Sequence, residues 1–175
     1  MEWNEEVIRA QQGDQQAFTK LIHRLDMNLY RLARSILRND EDCADAIQET
    51  IVKAYLSLAQ LRQPKAFKSW IYRILINECY ATLRRQERVV STGEEISIAD
   101  VHNYYERVDL LEVVDQLDQE LRAAVILYYF EDIAVRDIAK LLAISPGTVK
   151  SRLYRARAIL AAKLELETDG GIRYE

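Results

Sequence analysis

The chain has 175 residues, room for one or two small domains, and 49% of them are hydrophobic, which is enough to build cores and excludes disorder throughout. Five glycines, two prolines and long stretches at helical spacing argue against a sheet and predict an all-α protein. The formal net charge of −4 looks wrong for a partner of polyanions until it is divided along the chain.

The leading segment MEWNEEVIRA lacks the apolar core of a signal sequence. No stretch approaches the roughly 18 uninterrupted apolar residues that a membrane helix needs. The expectation is a cytoplasmic protein without membrane insertion. Behind a short leading helix, Phe18, Leu21, Ile22, Leu25, Leu29, Leu32 and Ala33 keep helical spacing. In the next helix Ala46, Ile47, Thr50, Ile51, Ala54, Tyr55 and Leu58 do the same, so the two should pack together. On that second helix Asp45, Gln48 and Glu49 fall three and four apart along one exposed acidic edge, which suits a basic protein partner. The same edge also reads as a solvated face whose acids favour the helix start. A third helix begins near Pro64 and runs through Phe67, Trp70, Ile71, Ile74 and Leu75 to a basic end at Arg84 and Arg85. The result is a three-helix core with a short leading helix.

Residues 89–107, VVSTGEEISIADVHNYYER, lose sustained helical spacing and carry a Ser-Thr-Gly turn signal. They predict a flexible acidic linker between two small helical domains, 1–88 and 108–167, with 168–175 as a frayed tail. The second domain contains AVRDIAKLLAISPGTVKSRLYRARAIL, residues 134–160, which reads as helix, tight turn and helix. Ile138, Leu141 and Leu142 form the buried stripe of the first helix, and Arg136, Asp137 and Lys140 fall outside it. Ser145 is placed to cap the second helix and Pro146 to occupy its first turn, leaving Ala143-Ile144-Ser145 as the turn. Adding about 100° per residue from Val149 puts Leu153, Ala156 and Leu160 inside, and Thr148, Ser151, Tyr154 and Arg155 across from them. Lys150, Arg152 and Arg157 flank that outer face, where long basic side chains reach phosphates on either side of a major groove.

Charge follows the same division. Residues 62–88 carry seven basic groups (Arg62, Lys65, Lys68, Arg73, Arg84, Arg85 and Arg88) against Glu78 and Glu87, and 136–163 carry seven against Asp137 alone. Between them, 89–120 holds nine acids against Arg107. Two basic blocks separated by a stretch that repels DNA result.

No Walker loop, HExxH or GxSxG is present, and the Ser, His and Asp residues suggest no nucleophile, so the chain reads as a non-enzyme. It should need no cofactor and no small-molecule substrate. Cys43 and Cys79, with only His23 and His102 besides, have neither zinc spacing nor the count of a disulfide framework, and read as ordinary helix residues.

Three blocks, DEDCADAIQETIVKAYLSL, FKSWIYRILINECYATLRRQER and LDQELRAAVILYYFEDIAVRDIAKLLAISPGTVKSRLYRARAIL, stand in the order and at the spacing of a known family. Over nearly its whole length the chain resembles a bacterial sigma factor of the extracytoplasmic-function group, in the sigma-70 family. The resemblance implies that the first module is sigma domain 2, the second sigma domain 4, and that the acidic stretch replaces an intervening domain. It implies core RNA polymerase and promoter DNA as partners, with Asp45, Gln48 and Glu49 on the edge that docks on the clamp helices of the polymerase large subunit.

By the same resemblance the loop from Arg62 to Lys65 and the following helix open the minus-ten element and capture a flipped base, and Asn77 matches the asparagine that supports the loop. An unpaired base stacks on a ring while its phosphates meet Lys or Arg, which makes Trp70, Tyr72, Arg73, Arg84 and Arg85 the candidates there. Trp70 also lies in an apolar stripe, so core and base-stacking roles are both open for it. Ala81 departs from the acidic residue that many relatives carry four positions after the asparagine. In domain 4 the resemblance assigns minus-35 reading to the second helix of the pair, at Lys150, Ser151, Tyr154 and Arg155, with Thr148 and Arg152 on its borders. An anti-sigma factor, often membrane-bound and released by stress, is the further partner implied. A free-standing regulator, or a protein that only sequesters polymerase, are the other readings, and dependence on core polymerase separates them.

Overall fold

In the computed structural model, residues 2–90 and 110–169 are described, and the chain forms two compact units, one to each side of the acidic stretch. Most of the expected linker, from 91 on, and the end of the tail lie outside the described residues. Every regular element among the described residues is helical.

The first unit begins with α1, Glu2–Gln11. Its last turn closes on Gly13, at φ 95°, where Gly13 N–H donates to the Ala10 carbonyl (3.0 Å) and Asp14 N–H to that of Arg9 (3.1 Å). A residue without Cβ suits that left-handed position. Asp14 at once caps the next helix by accepting from Ala17 N–H at 3.0 Å, so one dipeptide ends α1 and starts α2, Gln15–Ile36. Helix α3, Asp40–Ser57, is capped by the Asn39 side chain, which accepts from Glu41 N–H at 2.8 Å, and its first turn carries Asp40, Glu41 and Asp42 against the helix dipole. Two 3₁₀ turns, Leu58–Gln60 and Pro64–Ala66, then lead into α4, Phe67–Val90.

Helix α2 packs on α1, α3 and α4, and α3 also packs on α4. Leu21, Leu25, Leu29, Leu32, Ile71, Leu75 and Ile76 are shut from solvent at the centre. Each such side chain contributes about 1.5–3 kcal/mol relative to exposure.

The second unit opens with α5, Leu110–Asp115, and α6, Gln119–Val125. The buried Arg122 of α6 donates to the carbonyls of Asp115 (2.7 Å) and Leu117 (3.3 Å), fixing the turn between these helices. Helix α6 runs on into a π-helical turn, Ile126–Phe130, and Asp132 at φ 54° reverses the chain toward α7, Val135–Leu141. Helix α8, Pro146–Asp169, closes the unit against α6 and α7.

Candidate nucleic-acid interface

Helices α7 and α8 meet at the turn the sequence predicts. After Leu142 caps α7, Ala143 takes φ 54° and Ile144 N–H donates to the Ala139 carbonyl at 3.0 Å. This is the helix-ending motif that usually holds glycine, here built with alanine. The left-handed region costs an L-residue roughly 1–2 kcal/mol. Ala143→Gly is therefore expected to stabilise this unit by about 1 kcal/mol, read as a higher denaturant midpoint at unchanged slope; a lower midpoint would contradict the strain. Ser145 then caps α8, its Oγ accepting from Thr148 N–H at 3.0 Å while pairing with the Thr148 hydroxyl at 2.8 Å.

Val149, Leu153 and Ala156 of α8, which packs on α6 and α7, are buried, and Leu160 is half-buried. The opposite face presents Lys150, Ser151, Tyr154 and Arg155 to solvent, with Tyr154 69% exposed. Thr148, at the border, is half-buried. Two flanking arginines have partners within the unit. Arg152 Nη2 lies 2.7 Å from Glu120 Oε2, with its side chain 13% exposed, and Arg157 Nη1 donates to Tyr129 Oη at 3.2 Å. Sequence reasoning missed Glu120 and Tyr129, because nothing local links α6 and the π turn to the outer helix.

In the first unit Arg62, Lys65, Arg73 and Arg84 are exposed. Trp70 is half-buried with its ring 5.8 Å from that of Phe67. Tyr72 is a correction: it is fully buried and cannot stack a base. Lys68 Nζ lies over the Tyr72 ring, 5.7 Å from its centroid. Asn77 is exposed in a groove between α3 and α4 that it shares with Lys53, Ser57 and Gln60.

A neighbouring groove brings Asp45, Gln48 and Glu49 of α3 together with Arg85 of α4, whose Nη2 donates to Thr82 Oγ1 at 3.1 Å. Arg85 is exposed and lines the same groove as the acidic edge. Twelve residues of helix, about 18 Å, separate it from Arg73. Lys53 bridges Glu78 (2.8 Å) and Glu49 (3.2 Å), and these hydrogen bonds, the one with Glu78 foremost, hold its ammonium above the usual lysine range.

Cys43 and Cys79 are buried, and desolvation pushes both thiols up to about 12, so neither is a thiolate at neutral pH. Among the described residues no three His, Cys, Asp or Glu cluster as a metal site would require, and no helix is long and apolar enough to cross a membrane.

A helix-turn-helix with a basic outer face, on a chain whose other unit carries an acidic edge and a basic one, defines a two-unit DNA-binding protein. Comparison with known families narrows the class. The family model for Sigma-70 region 2 matches residues 21–89 and that for Sigma-70, region 4 matches residues 107–160. The RNA polymerase sigma factor SigV of Bacillus subtilis is 36% identical over 143 residues, covering 80% of this chain and 86% of that protein. The ECF RNA polymerase sigma factor SigM of Mycobacterium tuberculosis H37Rv is 35% identical over 159 residues, covering 87% and 79%. Among solved structures, the sigma factor RpoE of Bartonella quintana, in complex with the anti-sigma factor NepR, aligns with TM-score 0.70 at 27% identity, over 85% of this chain and 96% of that one. CnrH, in complex with the cytosolic domain of CnrY, aligns with TM-score 0.63 at 26% identity, over 94% and 97%.

The chain belongs to the sigma-70 family, in its extracytoplasmic-function group. Its function is that of an RNA polymerase sigma factor, a transcription initiation factor that directs polymerase to specific promoters.

Proposed function

We propose that α8 reads the minus-35 element through Lys150, Ser151, Tyr154 and Arg155, with Thr148 and Arg152 at its borders. The observation that carries this reading is that Ser151, Tyr154 and Arg155 lie exposed opposite the buried Val149, Leu153 and Ala156 on one capped helix, with the exposed Lys150 on their flank. Arg155 is the base reader and Lys150 a phosphate contact. Arg152 reaches a phosphate only by leaving Glu120. Glu120→Gln should therefore steepen the salt dependence of promoter binding by about one counterion, measured with the holoenzyme; an unchanged slope would leave Arg152 a structural residue.

In the first unit, Arg62, Lys65, Trp70 and Arg73 form the minus-ten surface, Asn77 supports the loop from its groove, and Arg84 and Arg85 extend the basic track. Asp45, Gln48 and Glu49 dock on polymerase, with Arg85 beside them in the same groove. The division of labour is residues 1–88 for domain 2, 89–107 for the linker and 108–167 for domain 4. The protein works in the cytoplasm with polymerase, which performs the chemistry. The anti-sigma factor named with the Bartonella relative supports a partner of that kind here.

The test is transcription in vitro from a library of genomic fragments, with purified core polymerase, with and without this protein. New start sites sharing two spaced motifs are the expected result. No new starts, with operator binding in the absence of core, would instead make the protein a free-standing regulator.

A further inference from the structure

The loop that leads into α4 is held from outside its own hairpin. The Leu58 carbonyl, at the start of the first 3₁₀ turn, already accepts from Leu61 N–H at 3.1 Å, and the Leu61 carbonyl lies just past the end of that turn. The side-chain amide of Gln11 donates to both, at 3.1 Å and 2.7 Å, from nearly fifty positions earlier in the chain. At the loop's other end, Trp3 of the same helix lies with its ring 6.4 Å from that of Phe67, the first residue of α4. Trp3 is itself pinned: the Arg24 guanidinium lies 5.8 Å from its ring centroid and its Nη1 donates to Glu6 at 2.6 Å. Eight residues of helix, about 12 Å, separate the two grips. Helix α1 touches both 3₁₀ turns. Arg62 and Lys65 sit between the grips, exposed and directed away from the core.

We propose that α1 is a brace for promoter opening, and that Gln11 is a positioning residue that presents the Arg62–Lys65 loop to the separating strands without touching DNA. The proposal rests on the minus-ten reading of that loop. A loop that must wedge into a duplex loses effect when its backbone is free to give way, because the displacement relaxes the loop instead of the base pairs. Once the strands are already apart, that stiffness has nothing left to do.

The experiment compares holoenzymes assembled from core polymerase and full-length wild type, Gln11→Ala, Gln11→Glu or Trp3→Leu on two templates. One is a duplex promoter and the other is the same promoter pre-melted across the minus-ten element. Gln11→Glu keeps the shape and removes the donor. Arg62→Ala/Lys65→Ala serves as the control for the loop itself. Opening is followed by permanganate reactivity of unpaired thymines. The Gln11 variants are expected to slow opening of the duplex about ten-fold, the scale of lost hydrogen bonds of ordinary strength, Trp3→Leu is expected to slow it too through the lost ring contact, and all are expected to leave the pre-melted template unaffected. If the loop control slows opening and the Gln11 variants do not, the brace is overturned and the minus-ten reading stands. If neither slows it, both are overturned. Equal losses on the two templates would make Gln11 merely structural and also overturn the proposal.

Discussion

Arg155→Ala is expected to flatten the ranking of minus-35 sequences while Lys150→Ala preserves it. Both side chains are exposed on the outer face of α8, yet they act through different chemistry. A guanidinium set against the two acceptors of a guanine discriminates by about 1–3 kcal/mol, or roughly five-fold to more than a hundred-fold. An ammonium at a phosphate contributes affinity that every sequence shares, and its loss reduces the salt slope by about one. The measurement is transcription from a panel of minus-35 substitutions at several salt concentrations. Identical promoter rankings for wild type and Arg155→Ala would remove Arg155 from base reading, and a Lys150→Ala effect confined to some promoters would remove Lys150 from phosphate contact.

Leu29→Ala is expected to cost the first unit about 2–5 kcal/mol. Leu29 is fully buried on α2, and α2 packs on each of the other three helices of its bundle, so no side of the site can close by a simple helix shift. The two tryptophans of the chain, Trp3 and Trp70, both lie in this unit, so their fluorescence follows its unfolding without signal from the other. At roughly 4–8 °C per kcal/mol, the thermal midpoint should fall by at least about 8 °C. A shift within a few degrees would mean that the core collapses around the missing side chain.

What the sequence disclosed, it disclosed through periodicity and caps. The stripe of α2 is buried at every position named from it except the half-buried Ile22, and Ser145 with Pro146 starts the outer helix where their chemistry suits it. The stripe of α4 was read too narrowly. That helix packs on α2 and α3 together, so its buried arc widens to take in Tyr72, Ile76 and Cys79 and leaves Trp70 at the margin. Tyr55 illustrates the opposite error, being 45% exposed with its ring set edge-on at 5.1 Å to Phe18. Partners from distant elements were not legible at all. Glu120, Tyr129 and the carbonyls held by Gln11 lie 28 or more positions from the groups they bind, and no local pattern announces them. The left-handed Ala143 gave no signal either, because glycine is the residue that advertises such a position.

The two thiols bear on how this protein is told to act. Cys43 and Cys79 are the only cysteines, both are buried, and both stay protonated far above neutral pH. Peroxide and disulfide reagents react with exposed thiolates, so they find no thiol target here while the first unit is folded. The factor is therefore deaf, at its own thiols, to oxidising conditions. Thiol-based sensing, wherever it operates in this circuit, thus lies outside this chain.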